Sequence, residues 1–225
     1  MSEPSTDRYL ETIQPDWDDL PLACELLELQ RRESTDRLRE VALSRGSVNG
    51  VKIQHVLNLL DKLSFLNNGE LTDRGRVLAD SYGRSIRTLQ PGTKFTIGLK
   101  SSLSDTEQLL LWMVIYQEHT LPMKATLHQV STERVTTAQD LATAKGLRDR
   151  IGHLYPTVNS DQSWIPRAKV HYLWLKNLGL ARIQAGKYVL SPAGEGVFER
   201  VRGECPDEWD DTGGEVEITL TDFAH

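Results

Sequence analysis

The residue types that do chemistry are present in this chain, but not in the groupings that catalysis needs. Its six histidines, at positions 55, 119, 128, 153, 171 and 225, include no HExxH arrangement, and Cys24 and Cys205 stand far apart with no partner at zinc-ligand spacing. No GxxxxGK[ST] or GxGxxG segment offers a phosphate-cradling loop. Asp207, Glu208, Asp210 and Asp211 surround Trp209 in a polar stretch that reads as a solvated acidic run rather than a cation site. His119 and His128 read as helix-end residues. No nucleophile, base and orienting partner occur together, so the sequence predicts no catalytic residue, no metal, no cofactor and no enzyme.

What the sequence does gather is positive charge in its middle. The net charge is −6, yet residues 142–194 carry 8 Lys/Arg against 2 Asp/Glu, whereas residues 1–44 carry 5 against 11 and residues 195–225 carry 2 against 10. A local basic face attracts phosphate even on an acidic molecule, so the averaged charge is a poor guide to partners. The remaining composition, 39% hydrophobic and 26% charged, describes a packed chain, and 225 residues suffice for two small cores. No apolar run approaches the roughly 20 residues of a membrane span, and Met1–Arg8 is too polar for a signal peptide. With Cys24 read as core and Cys205 as incidental, a cytoplasmic protein is expected.

The elements that must position these cations follow from periodicity and punctuation. Apolar residues at Leu20, Ala23, Cys24 and Leu27 predict a first helix after Asp18 and Asp19. A shorter second helix stops at Gly46, read as a left-handed cap, and Ser47–Gly50 is a turn. A third helix over Val51–Leu63 carries the stripe Ile53, Val56, Leu57, Leu60 and Leu63. Two short strands around Asn68-Gly69 follow, then a helix from Asp73 ending near Gly83. Alternation over Thr93–Leu99 predicts a strand, and Ser104 caps a buried helix. Thr136-Thr137 opens a segment to about Arg150, Asn159–Ser163 is a loop, and Pro166 suits the first turn of a helix ending at Leu178. Strands Ala181–Ile183 and Tyr188–Leu190 turn at Ala185-Gly186. The expected organisation is an arm over 1–16, a domain over 17–84, a connector over 85–103, a second domain with extra helices over 104–203 and an acidic tail over 204–225.

Two of these stretches repeat one another. Leu60, Leu63 and Phe65 align with Leu175, Leu178 and Leu180 at an offset of 115, and Leu71-Thr72-Asp73-Arg74-Gly75 aligns with Leu190-Ser191-Pro192-Ala193-Gly194 at 119, so the second hairpin is longer by four residues. Helix, hairpin, capped helix is an order that resembles the winged-helix (winged helix-turn-helix) family. Two copies imply a mainly α fold with small β-hairpin wings, two winged-helix domains in tandem.

That resemblance implies binding of double-stranded DNA, as a transcription regulator or as the DNA-engaging subunit of a larger assembly. In the first copy Lys52, His55 and Lys62 cluster with Asn58 beside them; lysines neutralise phosphate, and Asn58 or His55 could meet a base edge. An equally simple reading is a solvated helix face. In the second copy the helix is apolar almost all round, with Ala168, Tyr172 or His171, Leu175 and Leu178 on one side and Val170, Leu173 and Trp174 on the other. It is therefore expected to pack on more than one side, and its DNA contacts are assigned to Arg167, Lys169 and Lys176 and to the wing residues Arg182 and Lys187. A homodimer is left open. The alternative is a protein-interaction accessory subunit of a chromosome-organising or other DNA-processing ATPase complex, docking through the apolar face of helix 166–178 or the acidic tail. No membrane is involved in any of these readings.

Overall fold

The computed structural model describes residue 13, residues 16–86, 95–98, 102–132 and 136–152, residue 158 and residues 160–202. These fold as helices with two separate antiparallel hairpins, a mainly α architecture. The chain divides into two compact units, one over Asp16–Glu118 and the other over His119–His225 together with Met1–Pro15. The expected acidic tail over 204–225 lies outside the described residues, as does nearly all of the arm; Ile13, however, is buried. Among the described residues no helix is long and apolar enough to cross a membrane.

In the N-terminal unit the order is α1 (Leu20–Glu33), α2 (Leu38–Arg45), α3 (Gly50–Lys62), β1 (Leu66–Asn67), β2 (Glu70–Leu71), α4 (Asp73–Ile86) and α5 (Asp105–Glu118). The centre is α1, whose residues from Leu20 to Gln30 are all buried. Burying Glu25 and Glu28 in that helix requires partners. Glu25 accepts hydrogen bonds from the Tyr82 hydroxyl at 3.2 Å and the Gly98 N–H at 2.6 Å. Glu28 accepts from Arg31 and Arg32, and Arg32 in turn lies over the Phe95 ring at 4.9 Å. These contacts fasten residues 95–98 to the unit. No strand forms there among the described residues, contrary to the alternation of the sequence.

Other expectations shift for visible reasons. Gly46 is extended rather than left-handed, and a Cβ there would lie 2.8 Å from the Ile97 carbonyl, so close approach is what the position needs. Helix α4 runs through Gly83 to Ile86, and the glycine there serves close packing rather than helix termination, since a Cβ would lie 2.8 Å from the Glu28 carboxylate. Helix α5 belongs with the elements before it and packs on α4, so the chain divides after Glu118 and not within 85–103.

The C-terminal unit comprises α6 (Thr120–Thr132), α7 (Ala138–Thr143), α8 (Lys145–Ile151), α9 (Asp161–Asn177), β3 (Ala181–Gln184), β4 (Lys187–Leu190) and α10 (Pro192–Arg202). Thr137 and Asp140 form a reciprocal capping box for α7, and the single segment expected to Arg150 is broken at Ala144, which is extended. Helix α9 begins at Asp161 behind a Ser160 cap, one turn earlier than expected, which leaves Pro166 inside the helix rather than in its first turn. His128 sits within α6, not at a helix end. The core joins Trp164, Tyr172, Trp174 and Leu175 of α9 to Met123, Leu127, Leu141 and Leu147. Three of its polar side chains are satisfied within it: Trp164 Nε1 donates to the Ala142 carbonyl at 3.1 Å, Tyr172 donates to Gln129, and Gln129 donates to the Leu141 carbonyl at 3.0 Å.

Candidate nucleic-acid interface

The sequence repeat is a repeat of hydrogen bonds. At the end of α3 the chain turns through Ser64 at φ 56°, and at the end of α9 through Gly179 at φ 71°. Phe65 N–H then returns to the Leu60 carbonyl at 2.9 Å, and Leu180 N–H to the Leu175 carbonyl at 2.8 Å. Asn68 and Gly69 (φ 50° and 82°) form the first hairpin turn, and Ala185 and Gly186 (φ 49° and 74°) the second; positive φ at both central residues matches the twist of paired strands. Beyond each hairpin a hydroxyl residue caps the next helix. Thr72 Oγ1 accepts from the Gly75 N–H at 3.1 Å and donates to the Ser64 carbonyl at 2.7 Å; Ser191 Oγ accepts from the Gly194 N–H at 3.0 Å and donates to the Gly179 carbonyl at 2.5 Å. Gly75 and Gly194 are needed for one reason: a Cβ on either would collide with a backbone carbonyl, of Phe65 or of Leu180. The longer second hairpin comes from two extra residues in each strand, paired from Ala181↔Leu190 to Gln184↔Lys187.

On this shared scaffold the candidate side chains meet different surroundings. In α3 the buried stripe is Ile53, Val56, Leu59 and Leu60, so Leu59 takes the inward place expected of Leu57. Lys52 and His55 do lie outward, but both are held by acid. Lys52 Nζ is 2.5 Å from Asp19 Oδ2, and His55 Nδ1 is 3.1 Å from Asp16 Oδ2. Asp19 serves twice, because its other oxygen accepts the Leu22 N–H at 3.0 Å as the cap of α1. Burial works against the ammonium of Lys52, yet the Asp19 hydrogen bond and the charges of Asp19, Asp16 and Asp18 outweigh it and lift its pKa. Burial, helped by the charges of Asp19 and Asp16, raises the Asp18 carboxyl. Asn58 accepts from Gln54 on the next turn at 3.0 Å, and Lys62 is exposed. Sequence reading gave Asp18 and Asp19 the role of a helix start; their reach across to α3 carries no local signal.

In the C-terminal unit α9 is covered on several sides by α6, α7 and β3, with Val170, His171, Tyr172 and Trp174 all buried. The apolar face of helix 166–178 is thus occupied within its own unit and is not a docking surface. His171 stacks edge-on with His119 (6.0 Å) and Trp174 (5.2 Å), and burial, opposed by the nearby Ala168 backbone, pushes its pKa down to about 4. Arg167 bonds back to the Ser163 carbonyl at 2.6 Å, and Lys169 is half-buried. Lys176, Arg182 and Lys187 are exposed, and among the described residues none of them, nor Lys169, forms an ion pair; Arg182 donates to Gln184 across its own strand at 3.2 Å. Beside them Ile183, an apolar residue of the same hairpin, stands 55% exposed, a feature the alternation of β3 did not single out. Tyr188 Oη, donating to the Tyr172 carbonyl at 2.6 Å, ties this hairpin to α9 and fixes where its cations project.

Among the described residues no group of three or more His, Cys, Asp or Glu is placed to hold a metal ion. Comparison of the chain with protein-family models, with curated proteins and with solved structures finds no match.

Proposed function

We propose that this chain is a DNA-binding protein built from two winged-helix modules, acting as a regulator or as the DNA-engaging subunit of a larger assembly, and that the C-terminal module supplies most of the phosphate contacts. One observation carries the reading: Lys176 at the end of α9 and Arg182 and Lys187 on the hairpin behind it are exposed and form no ion pair among the described residues. An unneutralised cation beside a projecting hairpin can release counterions from a duplex, whereas one already paired must first lose its partner. Helix α9 itself is too enclosed to lie in a groove, so the contacts come from its end and from the wing.

A second reading has an observation of its own. Lys52 and His55, the polar helix residues of the N-terminal module nearest its start, are engaged by Asp19 and Asp16. A module so neutralised suits protein contact, as in an accessory subunit of a DNA-processing ATPase complex. Binding to random duplex DNA at two ionic strengths separates the two: affinity that falls steeply with salt supports the first, and absence of binding at both supports the second.

A further inference from the structure

Among the described residues helices α5 and α9 are both apolar nearly all round, and they are covered to different extents. The faces of α9 are closed by its own unit, as described above. Helix α5 buries Leu109, Leu111, Trp112, Val114, Ile115 and Tyr116, yet Leu110 is half-buried and Met113 is 54% exposed. Across a groove from Met113 stands Val77 of α4, also 54% exposed. The groove holds about 380 Å³, has Phe65, Leu110 and Val114 among its walls, and carries Asp73 and Arg74 at its rim. Large apolar side chains that are this exposed are few among the described residues, and two of them meet here.

We propose that this groove of the N-terminal unit is a self-association face, filled by the same groove of a second copy of the chain. A twofold interface requires one patch to complement itself in shape and in charge. In shape, Val77 and Met113 project beside a cavity of matching apolar character. In charge, the rim presents adjacent residues of opposite sign, so a twofold can set Asp73 of one copy against Arg74 of the other, and the reverse. Both are available for that exchange. Among the described residues Asp73 is paired, at 3.1 Å, only with Arg76 of its own helix turn, an exposed contact of little worth, while Arg74 donates to Gln117 at 3.3 Å, which holds its guanidinium at the groove. A nucleic acid would find no net positive charge here, and a strongly charged protein partner would meet one of the two rim charges with like sign. The proposal is independent of DNA binding.

The test is the oligomeric state of the full chain by sedimentation velocity over a range of micromolar concentrations, with circular dichroism to verify folding. A reversible dimer is expected. Val77→Glu and Met113→Glu, each at an exposed position, should weaken it about thirtyfold or more, as truncation or charge at an interface centre does. Arg74→Asp should also weaken it, and the double exchange Asp73→Arg with Arg74→Asp should restore it, since both pairs re-form with their signs inverted. A monomer at every concentration, a dimer indifferent to both glutamates, or a double exchange no better than the single reversal would overturn the proposal.

Discussion

The two hairpin modules share a backbone and differ in what their charges do. From Leu60 to Gly75 and from Leu175 to Gly194 the same turns, returns and caps recur, down to the glycine that clears a carbonyl. In the first module the helix presents a polar face on which Lys52 is paired with Asp19 and His55 is bonded to Asp16. In the second the helix is enclosed and the cations have moved to its end and to a longer hairpin. A shared scaffold therefore does not fix the charge its surface presents; in the first module the residues that pair its polar face lie far away in the chain.

The likeness can be broken most severely at the two glycines. Gly75→Ala and Gly194→Ala each force a methyl group into a backbone carbonyl, and each should cost about 3 kcal/mol or more, read as loss of thermal stability. Similar losses at both positions are expected; a tolerated alanine at one would show that the modules are not equivalent there. A large difference between the modules should appear with pH. His171 has its folded pKa near 4, below the unfolded value of about 6.5, so its contribution is complete above pH 6.5 and is lost as pH falls toward 4. The full loss is about 3 kcal/mol. Thermal melts of wild type and His171→Phe between pH 7 and 4 should converge as pH falls; parallel curves would mean that His171 is not buried in its neutral form.

The repeat, both tight turns and most helix starts could be read from the sequence, because glycine placement, hydroxyl caps and apolar period are local signals. Pro166 misled, since it marks a first turn only when no stronger cap precedes it, and Ser160 with Asp161 provides one. The apolar run of α5 announced a buried helix but not which core it enters. Among the candidate residues, the place of Arg182 and Lys187 on the second hairpin was legible, because the turn at Ala185-Gly186 lies between them. The pairing of Lys52 and His55 was not, because Asp19 and Asp16 lie more than thirty residues away and their charge is indistinguishable in sequence from a helix-start preference.

Smaller effects sharpen the electrostatic contrast. Asp16→Asn with Asp19→Asn frees Lys52 and His55 and should tighten duplex DNA binding a few-fold at low salt, an advantage that fades as salt screens it. Unchanged affinity would mean that α3 does not face the duplex even when unpaired. The second hairpin can also be made more like the first: Ala185 sits at φ 49° where the first hairpin has Asn68, so Ala185→Asn should stabilise the C-terminal unit by about 1 kcal/mol in a denaturant titration. Destabilisation would indicate that this turn does not adopt the left-handed pair.

The most direct measurement is the salt dependence of binding to random duplex DNA for the wild-type chain beside Arg182→Ala/Lys187→Ala and Lys52→Ala/Lys62→Ala. The hairpin variant is expected to lose about tenfold or more in affinity and its log–log salt slope to fall by about 2, one for each phosphate contact, while the helix variant changes little. Equal losses in the two variants, or a wild-type affinity that salt does not alter, would contradict that expectation.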